Sequence, residues 1–189
     1  MKENYKNTCF KKIEEAEVYD VAIKSPLEFA KNLSKRLGNK IFLKREDLQP
    51  VFSFKLRGAY NKIAKLIKAK KIKKLVAASA GNHAQGVALA AKKLAIKACI
   101  VMPKSTPEIK IEAVKSLKAE VILYGDSYDD AFDYALKKSK SSQIEFVHPY
   151  DDLDVIAGQG TIGIEIINQI ESKPDYIFVT GGLGPTHDD

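Results

Sequence analysis

The chain has 189 residues, 45% of them hydrophobic, with 31 basic against 24 acidic residues and a net charge of +7. That apolar share supports a packed core of one or two small domains and excludes a globally disordered chain. Cys9 and Cys99 are the only cysteines and lie far apart, which excludes a disulfide framework, and no apolar run approaches the roughly 20 residues that span a bilayer.

Residues 1–15 are polar and lysine-rich and read either as a surface helix or as a loose arm. They lack the apolar centre of a signal peptide, so a cytoplasmic protein with no membrane partner is expected. Ser25-Pro26 reads as a helix start, with Leu27, Phe29, Ala30, Leu33 and Leu37 as its apolar stripe and Gly38 as its stop. Ile41-Phe42-Leu43 reads as a short strand.

From Lys55 onward helix and strand alternate. The predicted helices are Lys55 to Lys68, Asn82 to Leu94, a segment opened by Thr106-Pro107 and running through Ile109, Ile111, Val114 and Leu117, and one capped by Ser127. The predicted strands are Leu75 to Ala78, Lys97 to Met102, Glu120 to Tyr124 and Ile144 to Val147. Cys99 falls inside one of them and reads as a buried thiol. Short strands alternating with helices predict an α/β fold, a parallel sheet with helices on both faces. Ligands bind such sheets at the carboxyl ends of the strands, and Ser79 to His83 lies at one such end. Beyond Tyr150 the sequence reads as a turn, a short helix and then a second helix from about Gly160 to Ile170. Tyr176-Ile177-Phe178-Val179 reads as a last strand, followed by a glycine-rich turn.

Several groups could carry chemistry. Lys55 sits between Phe54 and Leu56, an apolar setting that disfavours the charged amine and suits Schiff-base formation with a carbonyl. Arg57 is a second influence that would lower the amine's proton affinity. The small-residue turn Ser79-Ala80-Gly81 before a helix offers backbone N–H groups to a carboxylate or phosphate. Asn82 reads as a helix N-cap, and His83 alone as a structural or surface histidine. Asp151, Asp152 and Asp154 lack the pattern of a calcium loop and read as an acidic turn that caps a helix; no metal is expected. The lysines at 62, 65, 68, 70, 71, 73 and 74 form a basic run, but no aromatic interleaves with it. A solvated lysine surface is the better reading than a nucleic-acid face.

Lys44-Arg45-Glu46-Asp47, Ser53-Phe54-Lys55-Leu56-Arg57-Gly58-Ala59-Tyr60 and the run from Ser79 to Gly86 resemble the biosynthetic threonine dehydratases. These are pyridoxal-phosphate (PLP) enzymes of fold type II, the tryptophan synthase β-like fold. The resemblance runs from about Ala16 to Val179. It implies that residues 55–147 form a small α/β domain, and that 1–54 and 148–189 form part of a large domain whose second half is incomplete.

The resemblance further implies that Lys55 bonds the PLP aldehyde and later moves the substrate α-proton. Phe54 and Asn82 are expected beside the cofactor, with the Asn82 amide near the ring 3′-oxygen. Ser79, Ala80, Gly81 and His83 are expected to take the substrate carboxylate. Gly181, Gly182, Leu183 and Gly184 are expected around the cofactor phosphate, although Leu183 interrupts the usual run of glycines. Gly158-Gln159-Gly160-Thr161 is expected to be structural. The implied reaction converts L-threonine, and by extension L-serine, by β-elimination; threonine yields 2-oxobutanoate and ammonia at the first step of isoleucine biosynthesis. A homotetramer is the implied assembly. No residue here matches the hydroxyl partner of the pyridine nitrogen. The stretch Thr180 to Asp189 instead resembles molybdopterin-binding domains of the competence-damage-inducible type. The expectation is therefore a truncated dehydratase, with an inactive remnant, a pterin-binding fragment and a basic nucleic-acid binder as the alternatives.

Overall fold

The computed structural model describes residues 2–70, 72–141 and 143–179. In chain order the elements are α1 (Lys2–Glu14), β1 (Leu27–Phe29), α2 (Lys31–Leu37), β2 (Phe42–Lys44), a 3-10 turn (Glu46–Leu48) and α3 (Lys55–Ala69). Next come β3 (Lys74–Ala78), α4 (Asn82–Lys93), β4 (Lys97–Met102), α5 (Glu108–Ser116), β5 (Glu120–Leu123), α6 (Tyr128–Ser139), β6 (Ile144–Phe146) and α7 (Leu153–Gln169).

The alternating segment folds as predicted, into a parallel sheet of strand order β5-β4-β3-β6. Side chains alternate across it with the period of two that strands impose. Leu75, Ala77, Ala98, Ile100 and Met102 face α3, α4 and α5, where they meet Ile63, Val87, Ile111 and Val114. Val76, Ala78 and Val101 face the other way, onto Ala131 and Ala135 of α6. Cys99 is buried in β4, where burial pushes its thiol up from the ordinary cysteine value. At the start of α6 the Ser127 hydroxyl accepts from the Asp130 N–H while the Asp130 carboxylate accepts from the Ser127 N–H, a reciprocal cap. Asp152 caps α7 by accepting from Asp154 N and Val155 N, so the acidic turn does cap a helix.

Four local expectations give way to tertiary contacts. Residues 27–29 form a strand rather than the start of a helix, because β1 pairs antiparallel with β2, Leu27 opposite Lys44 and Phe29 opposite Phe42. Only the end of that stretch is helical, and Gly38 stops it in the left-handed conformation, φ 64°. Ile109 faces solvent at 80% exposure instead of joining the core. Residues 176–179 have no strand to pair with among the described residues, and all four side chains are exposed.

The fourth case is α7, one continuous helix where a short helix and a second one were expected. A Cβ on Gly158 would stand 2.5 Å from the Arg57 carbonyl oxygen and 2.8 Å from Gly58 Cα, so α3 and α7 cross backbone to backbone. The obstruction is main chain, which cannot swing aside. Gly158→Ala is expected to destabilise the fold by about 1–3 kcal/mol, the usual range for overpacking. A urea unfolding midpoint unchanged from the parent would contradict this crossing.

The basic run is largely spent on internal pairing. Lys62 lies 2.6 Å from Asp152, Lys68 2.6 Å from Glu17 and Lys70 2.5 Å from Glu145, and Lys74 pairs with Glu120. Lys12 bonds Asp154 at 2.8 Å and joins α1 to the start of α7. The N-terminal lysine-rich stretch is thus a helix docked on α7 rather than a loose arm.

Candidate active site

The sheet order sets the site. From β3 the chain steps through β4 to β5 on one side, then returns to place β6 on the other side of β3. Connections therefore diverge at the carboxyl ends of β3 and β6, where the strand order reverses, the place at which open α/β sheets form their ligand crevice. Ser79 to His83 leaves β3 there, and Val147 to Tyr150 leaves β6.

Lys55 begins α3 and is 3% exposed. Its amine lies 5.7 Å from the Phe54 ring centre and 3.4 Å from the Pro149 carbonyl oxygen, on the segment that leaves β6. Its own N–H donates to Ser53 Oγ at 3.2 Å, which ties the residue to the turn before the helix. Phe52, in the left-handed region at φ 56°, swings the chain into that turn. A Cβ on Gly86 would meet the Lys55 carbonyl carbon at 3.0 Å, so the absence of a side chain lets α4 lie against the first turn of α3. That contact brings the Ser79–His83 turn up to Lys55.

Within the turn, Ser79 N–H still follows the sheet, donating to Val101 O at 3.1 Å, while Ser79 Oγ accepts from Gly81 N at 3.1 Å. Gly81, not Asn82, occupies the N-cap position of α4, and no side chain caps this helix. The leading N–H groups of α4 are thus not covered by a capping side chain. Asn82 is exposed in the first helical turn, Ala80 and Gly81 are half-buried, and Ser79 is buried. His83 is 3% exposed rather than a surface residue. Its Nε2 lies 3.0 Å from the Val147 carbonyl, and since a carbonyl only accepts, Nε2 carries the proton. Nδ1 is buried without a hydrogen-bond partner among the described residues. Burial pushes the imidazole down to about 4, helped by the charges of Lys55 and His148 and opposed by the bond to Val147. His148 accepts at Nδ1 from Asp151 N at 2.8 Å and from Tyr150 N at 3.3 Å, which braces the turn carrying Pro149.

Arg57 does not act on Lys55 as an uncompensated cation. It is fully buried and bonds Glu46 at 2.8 Å through Nε and again through Nη2, and Glu165 at 2.7 Å through Nη1. Lys44 reaches the same Glu165 at 2.6 Å, and Tyr19 donates to it at 2.9 Å. Two cations and two carboxylates therefore balance, and they join β2, the 3-10 turn, α3 and α7. Burial raises the Glu165 carboxyl, but the bonds from Arg57, Lys44 and Tyr19 outweigh it and hold the group below the usual carboxylate range.

Sequence reasoning missed the Val147 and Pro149 carbonyls, which carry no side-chain signal. It also missed the partners of Arg57, although Glu165 and Thr161, whose hydroxyl accepts from Arg57 Nη1 at 3.1 Å, are spaced by one helical turn and Glu46 stands in the Lys-Arg-Glu-Asp segment. Gly181, Gly182, Leu183 and Gly184 lie outside the described residues. A cleft of about 310 Å³ lined by Ile13, Tyr19, Lys24, Ile164 and Gln169 contains neither Lys55 nor any residue of the Ser79–His83 turn.

The family model for "Pyridoxal-phosphate dependent enzyme" matches residues 18–187. The biosynthetic chloroplastic threonine dehydratase of Arabidopsis thaliana is 57% identical over 167 residues, covering 88% of this chain and 28% of that protein. The biosynthetic L-threonine dehydratase IlvA of Burkholderia multivorans is 52% identical over 177 residues, 92% of this chain and 35% of that protein. Among solved structures, the processed threonine deaminase isoform 2 of Solanum lycopersicum superposes with a TM-score of 0.83 at 51% identity, over 87% of this chain and 46% of that one. The serine racemase of Dictyostelium discoideum superposes with a TM-score of 0.78 at 31% identity, over 86% of this chain and 53% of that one. The chain thus spans about a third of the length of the curated relatives it matches.

Proposed function

The chain belongs to the pyridoxal-phosphate dependent enzyme family, with the α/β architecture of fold type II, and on that premise we propose that it carries the lysine-side chemistry of a threonine ammonia-lyase. The observation that carries the reading is the buried Lys55 amine, enclosed by Phe54 and the Pro149 carbonyl at the crevice between β3 and β6.

The residues present fit the cofactor. A buried amine, an uncapped helix start and an unpartnered buried acceptor on His83 converge at one end of the sheet, where a polar ligand would satisfy them. PLP, when bound, supplies an aldehyde for amines and a ring that takes up electrons as the α-proton leaves. Lys55 would hold it through Nζ, and the same Nζ would receive the α-proton of the substrate. The proximity of the amine to the reacting carbon converts that transfer to an intramolecular step. The first turn of α4, with Ser79, Ala80 and Gly81, would bind the substrate carboxylate through backbone N–H groups and the positive end of the helix. Asn82, exposed beside that turn, would contact the cofactor ring oxygen. Enclosure by Phe54 and Pro149 keeps bulk water from Nζ.

The substrate is L-threonine. L-serine, one methyl group smaller, would be accepted with a penalty of about 1–3 kcal/mol. The role is the first step of isoleucine biosynthesis, in the cytoplasm, by a homo-oligomer in which residues 55–147 form the smaller domain. The test is incubation of the purified chain with PLP and L-threonine, following the 2-oxo acid. A visible absorption band from the cofactor bound to the amine should appear with it. Cofactor binding without the 2-oxo acid would favour a second reading, an inactive remnant. Absence of both would remove the lyase reading.

A further inference from the structure

We propose that His83 is a positioning residue that works uncharged: its Nε2–H, tied to the Val147 carbonyl, fixes the Ser79–Gly81 turn against the Val147–Pro149 segment, and it lends the bound carboxylate no charge. The proposal rests on the lyase reading for what the turn holds, but the tether itself does not.

The geometry is a short mechanical link. His83 stands in the first turn of α4, two residues past Gly81, and its 3.0 Å bond to Val147 crosses from the end of β3 to the end of β6. Two residues beyond Val147, the Pro149 carbonyl faces the Lys55 amine at 3.4 Å. One imidazole therefore sets the spacing between the walls of the crevice. The groups around the ring all argue against a proton on Nδ1. The Lys55 amine faces the ring with positive charge, Val147 already holds the Nε2 proton, and among the described residues no carboxylate bonds the ring. A protonated ring would leave a buried Nδ1–H unmatched, because that atom has no acceptor among the described residues. The bare Nδ1 lone pair is instead an acceptor for a donor on the ligand. Carboxylate recognition then falls to the backbone N–H groups of the turn, with the imidazole as their support.

The test uses the full 15N-labelled chain, with and without PLP. Long-range proton–nitrogen spectra, with His83→Gln to assign the ring, should show one protonated and one bare nitrogen at every pH from about 5 to 8. A titration near the ordinary histidine value of about 6.5 would overturn the proposal. Amide exchange at residues 79–81 should rise about fivefold in His83→Leu, the worth of one neutral hydrogen bond, and return in His83→Gln, which keeps a donor. Equal exchange in the Leu variant and the parent would also overturn it. In turnover, His83→Leu should raise the KM for L-threonine more than it lowers kcat, with Gln again restoring it; a loss confined to kcat would assign His83 to proton transfer instead. The first two measurements need no activity, so a chain that passes them without converting threonine refutes the lyase reading and keeps the tether.

Discussion

Lys55→Ala is expected to abolish the visible band of the bound cofactor and to lower the rate of 2-oxo acid formation by 10³-fold or more, on the order of what a lost acid–base group costs before the lost covalent attachment is added. The residue does two things that alanine cannot do at all: it offers an amine to an aldehyde and returns as a base. The fold should survive the change. Burying an amine opposes stability, so its removal does not take away a contribution that packing depends on. The neighbouring turn is held by Ser53 Oγ through the Lys55 main chain, which alanine keeps. Equal unfolding midpoints together with lost cofactor binding are the expected pair of results. A Lys55→Ala protein that still forms 2-oxo acid from L-threonine at the parental rate would place the chemistry on another residue.

Arg57→Ala is expected to cost about 3–5 kcal/mol, the range for breaking a buried ion pair from one side. The reason is what remains. Glu46 and Glu165 lose their shared partner while staying buried, and Lys44 is the one cation left on Glu165, beside the Tyr19 hydroxyl. Against a total stability of about 5–15 kcal/mol, that is a large fraction. The same carboxylate predicts an acid-side loss. Glu165 is held below its unfolded value, so its contribution is complete above about pH 4.3 and disappears as pH falls through the lower folded value. Urea unfolding from pH 7 downward should show stability dropping below that point, and the drop attributable to Glu165 should shrink in Glu165→Gln. An Arg57→Ala chain with parental stability at pH 7 would mean the network contributes nothing net.

The site as read from sequence and the site as folded overlap in part, and particular residues show why. Lys55, Ser79 and Gly81 were identifiable because a lysine between apolar neighbours and a small-residue turn before a helix are local signals. Arg57 was misjudged for the opposite reason. As a near neighbour of Lys55 in sequence it looked like a cation acting on the amine, but its charge is balanced by Glu165, 108 residues away. The glycine at 158 was expected to be structural, but which surface it packs on, the main chain of α3 at Arg57 and Gly58, was not legible, because the steric demand comes from the other helix.

What the amino-acid sequence determined unaided is everything set by spacing of a few residues: the apolar period of α3, the Ser127 cap of α6, the boundaries of β4 and the strand–helix alternation that makes the sheet parallel. Tertiary structure alone decided that β6 lies beside β3, that Pro149 faces Lys55 across 94 residues, and that His83 holds Val147 across 64. The physical reason is that a main-chain carbonyl carries no mark in the sequence. Its value to the site arises only when strand pairing brings it within hydrogen-bonding reach of a buried amine or imidazole.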